Sequence, residues 1–379
     1  MKIYLDYNAT TPIDKEVAQA MQPYLAEYFG NPSSSHSFGT ETKKAVENAR
    51  KQVSSLLNCK PNEIIFTSGG SESNNYAIKG FAFANEHKGN HIITSTIEHP
   101  AVFEVCKYLA TKGFEISYIP VDEFGVIDLE KLQAAITPKT ILITVMHANN
   151  EIGTIQPISE IAAIAKKHNI TFHTDAAQSV GKYPTNVQQL SVDMLSIAGH
   201  KLYAPKGIGV LYIRDGIVLE KLIHGADHEQ NKRAGTENVL EIVGLGKACE
   251  IALRDMDKNI KHLKQMRDLL HTNLLKTMPE IKLNGHPELR LPNTLNISFP
   301  GIEANVLLSE LEQQGIAASA GAACHTGSVK VSLVLQAINL NTKFAMGTIR
   351  FSVGKYTHEE EITRASEIII EIVNKLKIG

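Results

Sequence analysis

Short apolar runs alternate with longer stretches of helical period along much of this chain. "EIIFTSG" precedes "SESNNYAIKGFAFANEH", "HIITSTIEH" precedes "PAVFEVCKYLATKG", and "TILITVMHANNE" precedes "ISEIAAIAKKHN"; then come "ITFHTDAAQ", "DMLSIAGHK" and "GIGVLYIR". The runs are continuous Ile, Val, Leu and Phe instead of alternating apolar and polar residues. That pattern marks strands covered on both faces, hence a mainly parallel sheet with helices on each side. The middle of the chain is predicted to be α/β.

After about residue 255 the texture changes. A long charged helix, "MDKNIKHLKQMRDLLHTNLLKTM", leads to "LPNTLNISF", another helix, the segment "SAGAACHTG", the strand "GTIRFSVG" and a terminal helix "HEEEITRASEIIIEIVNKLK". This mixture predicts a small α+β domain. The polar, turn-rich opening Met1 to Pro12 is expected to cross onto it. At 379 residues the chain exceeds what one core ordinarily serves. The expected division is a large domain at 14–257 and a small one built from 1–13 and 258–379.

Composition narrows the functional classes. The chain is 43% hydrophobic and 21% charged, with a formal net charge of -2. Neither a basic tract nor an arginine-rich face is present, so nucleic acid and anionic membrane surfaces are not expected partners. The start lacks the apolar core of a signal peptide, and no run approaches the roughly 20 residues needed to span a bilayer. A cytoplasmic location is therefore expected. The four cysteines, Cys59, Cys106, Cys249 and Cys324, share no CxxC spacing, which suggests neither a zinc site nor a disulfide framework. Cys106 and Cys249 sit in helical patterns and Cys59 at a helix end, where thiols act as small hydrophobes. Cys324 has only Gly, Ala, Ser, Thr and His around it, and so has no packing reason.

In parallel α/β sheets ligands collect beyond the carboxyl ends of the strands. "FTSGGSESNN" leaves a strand through Gly69 and Gly70 into a helix begun by Ser71, a geometry that offers backbone N–H groups to a phosphate. Taken alone, a strand-to-helix turn with an N-cap explains these residues equally well. "ITFHTDAAQ" puts Asp175 just past a strand, where a carboxylate is more often a cap, with Gln178 close behind. "DMLSIAGHK" then ends in His200 and Lys201. A lysine at a buried strand end meets a large desolvation cost unless something consumes its charge, and a Schiff base does that. An anion site, a carboxylate and a lysine in this order suit pyridoxal phosphate.

The blocks "YLDYNATTP", "GNPSSSHSFG", "FTSGGSESNN", "TSTIEHPAV", "MHANNEIGTIQPI", "FHTDAAQSVGK", "GHKLYAPKGIG", "KRAGTEN", "LPNTLNISF", "SAGAACHTG" and "TIRFSVGKYT" cover nearly the whole chain. In them the sequence resembles the class V aminotransferase-fold cysteine desulfurases of the iron-sulfur and nitrogenase assembly type. The resemblance implies the type I fold of pyridoxal phosphate-dependent transferases, with a seven-stranded sheet. It also implies a set of roles. Lys201 holds the cofactor and moves protons, Asp175 pairs with the pyridine nitrogen, His99 lies over the ring, and Gln178 bonds the phenolic oxygen. Gly70, Ser71 and His200 bind the phosphate, with Ala198 where relatives often have serine. Thr236 reaches the phosphate of a second subunit, which makes a homodimer. Asn8 and Asn150 stand on the substrate side, and Arg350 forks onto the substrate carboxylate.

Within that resemblance Cys324 is the residue that attacks the sulfur of L-cysteine, carries it as a persulfide and passes it to an acceptor such as an iron-sulfur scaffold. Alanine is the other product. A segment of small residues lets the thiol travel. His325 is its neighbour, but adjacent residues in an extended segment point apart. No resident metal site is expected, although Cys324 is a candidate transient ligand of an iron-sulfur cluster. Selenocysteine lyases are similar throughout, and "GAACH" is particularly like theirs, so L-selenocysteine is the rival substrate. A non-catalytic sulfur-carrier scaffold is opposed by the intact Lys201, Asp175 and Cys324. An ordinary aminotransferase is the third alternative.

Overall fold

Seven strands make the central sheet of the computed structural model, in the order Ile64–Thr67, Gly209–Ile213, Met194–Ala198, Thr171–Asp175, Thr140–Thr144, His91–Ser95 and Glu115–Ile119. The structure describes residues 2–320, 322–325 and 328–378; the side chains of 322–325, 328–330 and 378 lie outside the description. Neighbouring strands from Met194–Ala198 through to Glu115–Ile119 pair in parallel, and only Gly209–Ile213 runs against both its neighbours. The carboxyl ends of the other six therefore share one edge. The continuous apolar runs are buried at every position of Ile64–Thr67, His91–Ser95, Thr140–Thr144, Met194–Ala198 and Gly209–Ile213. Glu115–Ile119, at the sheet edge, is exposed or half-buried until Ile119, and its pattern does not announce a buried strand.

Helices cover both faces. Pro100–Ala110 starts from His99, whose Nδ1 accepts the Ala101 N–H at 3.1 Å, and Pro100 suits a first turn where its missing N–H costs nothing. Ser37–Leu57 stops at Asn58, which takes the left-handed conformation (φ 55°) favoured at a helix end. The segment predicted to begin a helix at about residue 255 belongs to a single 39-residue helix, Val239–Thr277. The change of texture has a packing cause. Ile242, Leu245 and Cys249 join the core beside the central sheet, whereas Leu263, Met266, Leu270 and Leu274 join a second core.

That second core lies against a four-stranded antiparallel sheet in the order Ser319–Ala320, Thr348–Ser352, Thr294–Ser298 and Lys282–Leu283. The terminal helix Glu359–Ile378 packs on it through Ile362, Ile369 and Val373. Ile3–Tyr4 pairs in parallel with Ile316–Ala317, and Asp6 bridges Ser352. Val334, Leu335 and Ile338 return to the core beside the central sheet. Ala322–His325 and Ser328–Val331 form a separate antiparallel ribbon.

Cys106 and Cys249 are wholly buried and Cys59 is half-buried, and burial pushes each thiol up to about 12. Such thiols are inert packing groups at neutral pH. No helix among the described residues is long and apolar enough to cross a membrane. No group of three or more His, Cys, Asp or Glu among them could hold a metal ion.

Candidate active site

A cavity of about 330 Å³ opens where the strand ends meet the opening segment of the chain. That size lies within the range of small-molecule sites. Gly70 and Ser71 form one end. The helix there begins at Gly70, and its cap is Gly69 instead of the serine the sequence suggests, so no side chain caps the first turn. Gly69 has a φ of 152°, in the region open to glycine. Its backbone lies so close to Gly209 that a Cβ there would come within 2.6 Å of the Gly69 carbonyl carbon. A Cβ on Gly70 would sit 3.1 Å from the Ala198 Cβ, which lines the same cavity. Small residues and an uncapped helix start thus leave a cradle suited to an anion.

His200 lines this end too. Its Nδ1 lies 3.2 Å from Thr10 Oγ1. Burial, followed by Lys201, Lys206 and Lys182, holds its pKa down at about 4, so the ring is neutral and acts as a hydrogen-bonding group.

Asp175 closes its strand in the middle of the cavity. One carboxylate oxygen accepts from the Ala177 N–H at 2.9 Å and the other from Asn74 Nδ2 at 2.7 Å. Asn74 was not legible as a site residue, although it follows Gly70 by one helical turn and so shares its face. Its Oδ1 is buried without a partner. His99 lies across the cavity, its pKa lowered by burial and by Lys201 against the opposing pull of Asp175. Next to it the buried Glu98 accepts from the Met146 N–H and from Ser95 Oγ, and burial raises its carboxyl to about 8.

Lys201 ends the short turn Gly199–Lys201. Its Nζ donates to the carbonyl of Ala9 at 2.8 Å and to that of Asn8. Burial, with Arg350 adding to it and Asp6 and Asp175 opposing, brings the amine down to about 8. About a tenth of it is therefore unprotonated at pH 7, far more than for an ordinary lysine, and so nucleophilic. The opening segment supplies this wall, so a lysine just past a strand of the central sheet and two carbonyls of an opening turn meet in one site.

Asn8 is a hub. Its Nδ2 donates to the Asn150 carbonyl at 3.1 Å and to Thr294 Oγ1 at 2.8 Å, and its Oδ1 accepts from Asn293 Nδ2 at 2.9 Å. Its carboxamide is thereby spent on holding the wall. Gln178 Nε2 donates to the Asn8 carbonyl at 3.1 Å. Arg350 donates from Nη1 to the Asn150 carbonyl at 3.0 Å and from Nη2 to Asp6 Oδ1 at 2.7 Å, while its Nε is buried without a partner. Asp6 is a second residue the sequence did not single out.

The cavity thus gathers Asn8, Gly70, Ser71, His99, Asn150, Asp175, Gln178, Ala198, His200, Lys201 and Arg350. Thr236 is exposed and does not line it. The side chains of Cys324 and His325 lie outside the described residues. Chemically, the arrangement offers an anion cradle, a buried carboxylate, a nucleophilic amine and a guanidinium around one space.

The family profile described as Aminotransferase class-V matches residues 3–365. The chain is 51% identical over 376 residues to the cysteine desulfurase IscS of Dictyoglomus turgidum, covering 99% of this chain and 95% of that protein. A solved NifS-like protein superposes with a TM-score of 0.94 at 40% identity, over 99% of this chain and 100% of that one. The structure of SspA in complex with cysteine superposes with a TM-score of 0.82 at 38% identity, over 94% and 100%.

Proposed function

The chain belongs to the class V aminotransferase family, among its cysteine desulfurases, and from that premise we propose that its cavity holds pyridoxal phosphate on Lys201 while Cys324 takes the sulfur of L-cysteine. The residues present fit the group. Gly70, Ser71 and His200 would hold the phosphate in the uncapped cradle, Asp175 the ring nitrogen, Gln178 the phenolic oxygen, and Lys201 the aldehyde carbon. The unpartnered Asn74 Oδ1 marks polar capacity still available beside Asp175. When bound, the cofactor supplies a carbonyl for amines and a sink for the electron pair released at the substrate Cα.

The chain's own residues do the rest. Arg350 binds the substrate carboxylate through its open N–H groups, with Asn150 and Asp6 fixing the plane of the guanidinium. Lys201 would take the Cα proton and, with its lowered pKa, return it nearby. Asp175 would accept from the ring nitrogen and favour its protonated form. His99, whose pKa burial lowers, would pack against the bound ring. The Cys324 thiolate attacks the substrate sulfur, forming an S–S bond as the Cβ–S bond breaks. The departing electron pair stays on Cβ, which takes up a proton, and alanine leaves. Sulfur remains on Cys324 as a persulfide for an acceptor such as an iron-sulfur scaffold.

The proposal extends to organisation. Two separate buried cores that meet along Val239–Thr277 support the division into 14–257 and 1–13 with 258–379. The exposed Thr236, which does not line its own cavity, supports a homodimer in which it reaches the partner's phosphate.

One observation carries the reading: Lys201, with its amine brought down to about 8, and Asp175 face a single cavity beside an uncapped helix start. Its test is spectroscopic. Wild-type protein mixed with pyridoxal phosphate is expected to show an absorption band at the edge of the visible range that borohydride fixes to Lys201. A band retained unchanged in Lys201→Ala would refute it.

A further inference from the structure

Among the described residues Lys182 is a buried lysine with no acidic partner. It is 5% exposed. It lies four residues beyond Gln178 in a run of turns, and its Nζ donates to Gln178 Oε1 at 3.3 Å. The charges that act on it are Lys201 and Arg350, both like its own, and burial together with them brings its amine down to about 7. It also lines a void of about 20 Å³ together with Asp14, Lys201 and Lys355. Asp14 is already engaged by Lys355 and Tyr356. An aliphatic side chain would fill the position without the desolvation cost that an amine meets there. What lysine adds is a hydrogen-bond donor aimed at Gln178.

That donor decides which way the Gln178 carboxamide faces. Its Oε1 is tied to Lys182 and one Nε2 hydrogen to the Asn8 carbonyl. The second Nε2 hydrogen is left for the cavity that Gln178 lines. We propose that Lys182 is a positioning residue of the desulfurase site: by donating to Gln178 Oε1 it holds the carboxamide so that an N–H, and not a carbonyl, is offered to the phenolic oxygen of the cofactor. A phenolate accepts hydrogen bonds, so the opposite orientation would set two acceptors against each other. The inference rests on the reading of the cavity as a pyridoxal phosphate site and deepens it.

The test compares full-length, cofactor-loaded wild type with Lys182→Met and Lys182→Gln. Methionine keeps the length and apolar stem but cannot donate; glutamine is neutral and can. Lys182→Leu replaces the methionine variant if that one does not fold. Two quantities are read: the pH midpoint of the bound cofactor's visible band, and kcat against KM for cysteine. Lys182→Met is expected to move the midpoint up by about one unit, because a lost donor to the phenolate disfavours the deprotonated form. It should lower kcat roughly tenfold with KM little changed. Lys182→Gln is expected to restore most of both. A methionine variant with the wild-type midpoint and kcat would overturn the inference. Equal losses in both variants would also overturn it, since charge or packing would then be what matters. Wild type that forms no band with pyridoxal phosphate would bring down the underlying reading, a result distinct from either.

Discussion

Arg350 Nη2 donates to Asp6 Oδ1 at 2.7 Å, joining the strand Thr348–Ser352 to the opening segment at the edge of the cavity. The two charges also act on Lys201 with opposite sign, the arginine lowering its pKa and the aspartate raising it. Asp6→Asn is therefore expected to bring the Lys201 amine below its value of about 8, and Arg350→Ala to bring it above. The rate at which apo-protein captures pyridoxal phosphate reads this, because only the unprotonated amine adds to the aldehyde. Its pH midpoint should fall in the first variant and rise in the second; shifts of the same sign would contradict the electrostatic account. Arg350→Ala should also raise KM for cysteine roughly tenfold to a hundredfold, as expected for losing charge-assisted hydrogen bonds to a carboxylate.

The close approach of Gly209 to Gly69 gives a second prediction. A methyl group at position 209 would lie 2.6 Å from the Gly69 carbonyl carbon and 2.7 Å from its Cα. Backbone must yield, at about 1–3 kcal/mol. Gly209→Ala should lower the melting temperature and weaken cofactor retention together, since the strained turn is also the cradle. An unchanged melting temperature with full retention would show that the turn is free to move.

Acid stability depends on Asp14. Its carboxylate accepts from the Glu16 N–H at 2.7 Å, from Tyr356 Oη at 2.6 Å and from Lys355. Burial opposes ionisation, but these partners prevail and bring the pKa from 3.8 down to about 2. A carboxylate with a lowered folded pKa contributes stability above its unfolded value and loses it as pH falls towards the folded one. Unfolding by denaturant should thus become easier between about pH 4 and pH 2, and Asp14→Asn should flatten that part of the profile. A mutant curve parallel to wild type over this window would contradict the assignment.

Much of the site was legible because its residues close continuous apolar runs: Asp175, His200 and Lys201 stand at strand ends where parallel sheets place ligands. What stayed hidden depends on contacts distant in sequence. Asp6 and Arg350 are brought together by a strand bridge at Ser352, and nothing local to "YLDYN" marks the aspartate as their partner. Asn74 reads as one more polar residue in "SESNN" until its hydrogen bond to Asp175 is seen. Lys182, in "SVGKYP", looks like a surface lysine because its burial is imposed by elements that pack over the turn from elsewhere. Glu115–Ile119 lacked the buried-strand pattern for the same reason that it lies at the sheet edge. The helix start at Gly70 shows the reverse: serine is the better cap by propensity, yet the φ of 152° at position 69 suits glycine and not a residue with a side chain.

The central claim is that sulfur leaves L-cysteine for Cys324. Mass measurement of the Cys324 peptide, after incubating cofactor-loaded protein with L-cysteine and quenching without reductant, tests it most directly. The account predicts one added sulfur atom on that peptide, removed by a thiol reductant and absent in Lys201→Ala. Alanine formed in amounts exceeding the enzyme's, with an acceptor thiol present and no sulfur ever found on Cys324, would contradict it.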